Sequence, residues 1–398
     1  MASARPSPIP LLVATVFVDI IGFGMILPLL PGTADQLGSS PTAIGVLVGA
    51  YSALQFLLAP LWGRLSDRIG RRPIILVGMA GSVLSYALFA VADSYPLLLL
   101  SRLLDGGSGA TVNVAQAYLA DLTAPAQRAR AMGLVGAAVG MGFIVGPILG
   151  GITSAIDPSL PGWVAAAITL GNLLFAWWRL PESRGHVAAD RATAARAERA
   201  PLGPLVAPVG TLFLATLAFS VMYVVFPLWG ESRFAATRST VSYWFAFVGL
   251  VTAIVQGGLL GRLVQRLGEP MTARAGTLIL AGGFVLVIAA GRGTAIPGAP
   301  FWLALVLLGA GFGMAGPAMT GLVSRRTRQD AQGSILGVVQ SASAMSRIIG
   351  PIVAGAVMEL HSPETAFGAS AAMALAACAL AFGVARPDPA DDGLSPGR

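Results

Sequence analysis

Two acids and an arginine stand where charges are rare. Asp19 lies in VFVDIIGFGMILPLLP, and Arg102 with Asp105 in SRLLDGGSGATVNVAQAYLAD, each inside a long apolar run. Asp19 falls about ten residues into its run, so about 15 Å deep at the helical rise, near the middle of a bilayer. An isolated carboxylate there must be protonated, paired or open to a wet cavity. It is either a proton-coupling or substrate-binding group, or a permanently neutral structural acid. Arg102 and Asp105 are three residues apart, on adjoining parts of one helix face, and the arginine reaches either its own acid or another helix. Asp105 enters from the opposite side to about 14 Å. Two acids and a guanidinium at one depth could pass a proton between carboxylates; a closed Arg102–Asp105 pair that neutralises itself is the plainer alternative. Asn113 and Gln116 follow on the same run and either line a path or bond to neighbouring helices.

Further along, GFIVGPILGG sets Gly142, Gly146 and Gly150 on one face at spacing four, with Pro147 to bend the helix and Gly151 directly after. Such a stripe allows close backbone approach. In the second half of the chain Arg347 is the intramembrane charge, placed to bind an anion, to pair with a first-half acid, or to snorkel toward the inner face. Tyr223, Phe226 and Gln256, with Gln55 from the second run, complete the candidate cavity set; the aromatics either wall a cavity or form an interfacial belt.

The elements that must hold these groups follow from composition. Of 398 residues 55% are hydrophobic and 11% charged, which excludes an ordinary soluble globule. Twelve apolar runs are long enough to span a bilayer, the first at about 9–30, the fourth at about 96–119 and the last at about 363–384. The reading is therefore an all-α membrane protein: residues 1–180 form one six-helix bundle, 181–207 a cytoplasmic linker, and 208–398 a second bundle with a short tail. All 25 basic residues are arginine, and 20 fall in the segments that share a side with the termini, against 3 in the opposite loops. The positive-inside rule then expects both termini in the cytoplasm. The basic residues lie in short gaps rather than on one polar face, so nucleic acid is not expected as a partner. With no lysine there is no Walker A loop, and one cysteine and two separated histidines point to no metal site and no enzyme.

The two halves echo each other. GRLSDRIGRRP, from Gly63 to Pro73, returns in part as GRLVQRLGEP from Gly261. LLGAGFGM follows LLDGGSGA at the same offset as Gly350-Pro351 follows Gly146-Pro147. This implies a pseudo-twofold axis along the membrane normal with a cavity between the halves. The first copy is a tight basic hairpin in which Gly63, Asp67, Arg68, Gly70, Arg71 and Arg72 cannot lie in hydrocarbon.

Taken together, the acid in DIIGFGMILPLLP, the hairpin, Arg102 with Gly106 and Gly109, and the GPxxGG pattern resemble the major facilitator superfamily. Within it the chain is most similar to the twelve-helix drug/proton antiporters, the tetracycline/proton antiporters in particular. The resemblance implies an exporter that rocks between two faces and exchanges protons for a small lipophilic compound, with no cofactor but the proton gradient. It implies that Asp67 holds the cytoplasmic side shut against the start of the eleventh helix near Gly333, with Asp121 pairing to Arg71 or Arg72 in the same latch. Three positions depart from the tetracycline pattern: Ser85 replaces an acid, and Thr252 and Leu280 fall near a histidine and another acid. Asp105 is added, so the expected substrate is cationic or zwitterionic. The alternative is proton-linked or facilitated transport of a small metabolite. A monomer in the inner (plasma) membrane is expected.

Overall fold

Within hydrocarbon a chain segment satisfies its backbone polar groups either as a helix or in a closed barrel. The computed structural model describes residues 8–109, 111–123, 125–182, 205–292, 296–327 and 332–384, and its regular elements there are all helical. The first half comprises α1 (Ile9–Gln36), α2 (Pro41–Ile69), α3 (Arg71–Ala90), α4 in two pieces (Tyr95–Ser108 and Thr111–Leu122), α5 (Pro125–Ser154) and α6 (Leu160–Arg179). The second comprises α7 (Val206–Phe234), α8 (Arg238–Leu267), α9 (Glu269–Gly291), α10 (Ala299–Arg326), α11 (Gln332–Leu360) and α12 (Pro363–Phe382). Among the described residues eleven helices are long and apolar enough to cross a membrane, and α4 is the interrupted twelfth. Most of the expected linker, 183–204, lies outside the described residues.

Helix starts and stops follow local chemistry. Ser40, Thr237 and Ser362 cap α2, α8 and α12 by accepting from the backbone N–H three residues on. Between α5 and α6, Ser159 donates to Asp157 from both its hydroxyl and its N–H and holds that carboxyl below its usual range. Gly70 closes α2 at φ +112°, a conformation that strains any side chain, and Gly268 does the same after α8 at φ +78°. α1 runs past the expected end at residue 30, loosened at Leu27–Leu29 and restarted with Pro31 in its first turn.

One core gathers Met25, Ile26, Leu47, Tyr86 and Phe89 of the first half and runs on into Val224 and Leu228 of α7; another gathers Trp229, Trp244, Phe284, Phe301 and Phe367 of the second half. The outer surface keeps large apolar groups such as Trp177, Trp178, Leu57 and Leu360 exposed, as a lipid-facing surface does. The chain is a multi-pass membrane protein. Among the described residues the halves are joined mainly by α2 with α11 and α5 with α8, and by a smaller contact where Gly32 of α1 meets Glu231 of α7.

Both pairs touch toward one side of the membrane, called here the far side, opposite the α2–α3 hairpin. A Cβ on Gly49 would lie 2.8 Å from the carbonyl oxygen of Ile348, and Gly45 and Gly355 back onto Pro351 and Pro41. Ser239 Oγ donates to Gly151 O at 2.7 Å, and Thr42 N–H at the start of α2 donates to Glu359 at 3.0 Å. Arg238 reaches Gly32 O and Gln36 on α1. Toward the hairpin side the same pairs separate: nothing lies within 4 Å of a Cβ on Gly63 of α2, Gly337 of α11, Gly136 or Gly140 of α5, or Gly257 of α8.

Candidate transport site and its gates

The glycines of α5 place α1. Cβ atoms on Gly142, Gly146 and Gly150 would meet Ile20, Gly24 and Met25 of α1, so the spacing-four stripe is the seat of that helix. Gly151, one step round, faces α8 instead, where a Cβ would lie 2.8 Å from the Tyr243 ring. Pro147 borders the cavity between the halves. The expected single packing face thus serves two neighbours, because one residue turns the helix by about 100°.

The glycines of α4 interrupt it. Gly106 packs on the backbone of Tyr51, and the helix stops at Gly109 before restarting at Thr111. An interruption frees carbonyls that membrane burial does not tolerate without donors. Gln55 Nε2 donates to Gly109 O at 3.0 Å and Trp62 Nε1 to Gly107 O at 2.7 Å. Gln55 also donates to the Tyr51 hydroxyl at 3.1 Å. Gln55 therefore serves the broken helix as well as bordering the acidic cavity, and Trp62 was a signal the motif reading missed.

Around that break the charges assemble. Asp19 and Asp105 line one small cavity of about 20 Å³ with Tyr51, Ser82 and Tyr86. Oδ1 of Asp19 is buried without a hydrogen-bond partner. Arg102 Nη1 lies 3.2 Å from Asp105 Oδ2, close enough for an ion pair but not aligned as a hydrogen bond. Arg102 reaches Ser85 Oγ at 3.4 Å, and Ser85 donates to Ser101 O at 2.8 Å. Asp105 is thus paired along its own helix while one oxygen of Asp19 is not.

A second cavity of about 70 Å³ adjoins the first across Phe23 and Tyr51, and both Arg102 and Arg347 line it with Tyr223. Arg347 does not snorkel to a membrane surface: α11 turns it into this cavity at the centre of the molecule, beside Tyr51 and Tyr223. A third and larger cavity, about 250 Å³, is apolar and lies between α1, α5, α7, α8 and α10, lined by Phe143, Phe219, Tyr223, Thr252, Gln256 and Phe312 among others. At its edge α8 loosens into a π-turn over Val255–Leu259, which carries Gln256. Such turns re-aim side chains at functional sites.

Other candidates lie elsewhere. Phe226 is wholly buried among Trp229, Trp244 and Phe301 and belongs to the second-half core, because α7 turns it away from the cavity that Tyr223 faces. Asn113 is exposed and Gln116 partly so, and neither lines the cavities described. Leu280 is buried in the second-half core, whereas Thr252 borders the large cavity and donates to Gly309 O at 3.0 Å.

The hairpin forms a network centred on Arg71. Its guanidinium meets Asp67 at 2.7 Å, Asp121 at 3.0 Å and Ser66 Oγ at 2.5 Å, and its N–H donates to Glu182 at 3.0 Å. Arg72 donates to Trp177 O, and Arg68 is exposed. Asp121 thus pairs with Arg71 and not Arg72. The expected opposition of Asp67 to the start of α11 rests on side chains outside the described residues. The echo in the second half carries the opposite sign: buried Glu269 at the start of α9 pairs with Arg325 of α10. Glu182 and Glu269 lie outside the motif as read, one after it and one inside its looser copy.

The sequence model described as Major Facilitator Superfamily matches residues 12–351 and, overlapping, 211–398. The class C tetracycline resistance protein of Escherichia coli is 33% identical over 87% of this chain and 88% of its own length. The human major facilitator superfamily domain-containing protein 10 is 28% identical over 88% of this chain and 87% of its own length. A crystal structure of the human organic anion transporter MFSD10 (TETRAN) superposes with a TM-score of 0.71 at 26% identity, covering 95% of this chain and all of that one. A bacterial homolog of the human lysosomal transporter Spinster, inward-facing and occupied, has a TM-score of 0.79 at 17% identity over 97% and 99% of the two chains, a likeness of fold.

Proposed function

We propose, from the premise that this chain belongs to the Major Facilitator Superfamily, that it is a proton-coupled antiporter exporting a lipophilic compound by alternating access. It is a transporter by family, and the proposal concerns its coupling and cargo. One observation carries it: an acid with an unpartnered buried oxygen, Asp19, shares a cavity with a second acid, beside an apolar cavity between two halves that touch on one side of the membrane. Asp19 takes a proton from one face and releases it to the other as the halves rock. Asp105, held by Arg102, is the second acceptor within the same cavity. Differential binding of proton and compound to the two states drives the exchange. The electrical part of a proton gradient supplies about 2.3 kcal/mol per charge per 100 mV.

In this reading the hairpin side is cytoplasmic, the membrane is the plasma membrane, one chain is the working unit, and the structure stands open to the cytoplasm. The tetracycline resistance relatives support export of a drug-like compound. A second reading, proton-linked or facilitated transport of a small metabolite, is favoured by the similarity to the human domain-containing protein 10.

The test uses proteoliposomes with a pH-sensitive dye, an imposed proton gradient and a panel of lipophilic compounds. The expected result is compound-triggered proton flux that Asp19→Asn loses and Asp105→Asn weakens. Compound equilibration with no proton movement sinks the coupling and leaves a facilitator.

A further inference from the structure

Arg347 is a half-buried guanidinium between the two halves, and neither an acid nor a hydrogen-bond acceptor meets it among the described residues. Its electrostatic neighbours are the side chains of Tyr223 and Tyr51. The two acids of the site lie behind Tyr51, and Asp105 is already paired with Arg102. A guanidinium withdrawn from water needs either a counter-charge or acceptor atoms for its donors. Arg102 adds a second unmet demand at the same cavity: it is 1% exposed, and its buried Nε has no partner. The cavity these arginines share has room for about two waters or a small planar anion. It opens past Leu27, Phe143 and Tyr223 onto the large apolar cavity, since those three residues line both.

We propose that the cavity between Arg347, Arg102, Tyr51 and Tyr223 holds the anionic group of the transported compound, whose apolar body occupies the adjoining cavity. The cargo is therefore an amphipathic organic anion, in place of the cationic or zwitterionic compound expected from Asp105. Asp105 loses its claim to a cationic group because Arg102 neutralises it along its own helix. Arg347 supplies a planar fork of donors that suits a carboxylate, sulfonate or enolate. Tyr223 meets both parts of the compound, its ring on the apolar side and its hydroxyl toward the arginine. The proposal rests on the transporter reading for the word cargo, while the binding site it assigns stands apart from proton coupling.

The experiment measures binding to the purified full-length protein in nanodiscs, with three dansyl probes that share one apolar body. These are dansylglycine, a carboxylate; its uncharged amide; and a dansyl derivative of ethylenediamine, a cation. Wild type is expected to bind the carboxylate at least about tenfold more tightly than the amide, the range for a charge-assisted hydrogen bond. Arg347→Gln is expected to erase that preference without changing affinity for the amide, and Arg347→Lys to retain part of it. Gel filtration confirms that each variant is folded, and the lysine variant keeps the test informative should the glutamine variant fail to fold. Equal binding of carboxylate and amide by wild type, absence of carboxylate binding, or a preference that survives Arg347→Gln overturns the proposal. Chloride and acetate are titrated as competitors: displacement of dansylglycine by acetate but not by equimolar chloride fits a site for an organic acid, and equal displacement by both overturns that assignment. Proton flux with the same probes separates the two conclusions. A carboxylate preference without flux removes antiport and keeps the anion site, and flux driven by the cation with no carboxylate preference does the reverse.

Discussion

Where α5 meets α8 on the far side, Ser239 donates to Gly151 and the backbones nearly touch; toward the hairpin side the same helices face each other across Gly136, Gly140 and Gln256 with a cavity between them. The second joining pair behaves alike, α2 and α11 being close at Gly49 and Ile348 and apart at Gly63 and Gly337. At these two seams closure relies on small residues and a few polar contacts, and Val224 and Leu228 of α7 add apolar packing against the first half. The second-half core stands by itself, whereas the first-half cluster runs on into Val224 and Leu228 of α7, so opening this side must part those apolar contacts as well. On the hairpin side, by contrast, Arg71 ties Asp67 to Asp121 within the first half.

The sharpest way to break this comparison is to fasten the closed end. Ser154 and Ser239 bring their hydroxyl oxygens within 3.4 Å across the α5–α8 seam. Ser154→Cys with Ser239→Cys, in a Cys378→Ser background, is expected to cross-link on oxidation because the two side chains already meet across the seam. Transport should then cease until reductant is added. Undiminished flux from fully cross-linked protein would mean that the far side need not open.

A smaller effect comes from wedging the seam. Gly49→Val places a branched side chain against the Ile348 backbone and costs the closed far side about 1–3 kcal/mol, roughly 5- to 150-fold in population. Labelling of a far-side cysteine in the cavity should rise accordingly. Gly337→Ala, which meets open space in this state, should leave thermal stability unchanged or higher by about 0.5–1 kcal/mol. Equal destabilisation by both changes would contradict the asymmetry between the two sides.

The least severe change is Asp67→Asn, which removes one of two carboxylates from Arg71 at a site where Asp67 is substantially exposed. Transport is expected to fall several-fold, with the protein still folded and inserted, since Asp121 still meets the buried Arg71 guanidinium when the exposed Asp67 carboxyl is lost. Loss of folded protein would show that the hairpin network is structural rather than part of the gate.

Much of this architecture was legible without coordinates because bilayer physics is severe. Long apolar runs must be helices, arginines mark the gaps, and a deep acid such as Asp19 stands out wherever it falls. The glycine stripe of α5 was readable for the same reason, since spacing four defines a face. Its division of labour was not: Gly142, Gly146 and Gly150 seat α1 while Gly151 meets α8, which depends on where the neighbours lie.

What the sequence by itself determined is the helical membrane class, the internal repeat and the depth of the charges, all properties of local composition and spacing. Tertiary structure alone decided which charges meet. It paired Asp105 with Arg102 and left an oxygen of Asp19 unpartnered, and it turned Arg347 toward Tyr223 and Phe226 into the core. One residue rotates a helix by about 100°, so helices of the same composition reach either a cavity or a core according to rotation about their axes. That rotation is set by packing against neighbours distant in sequence.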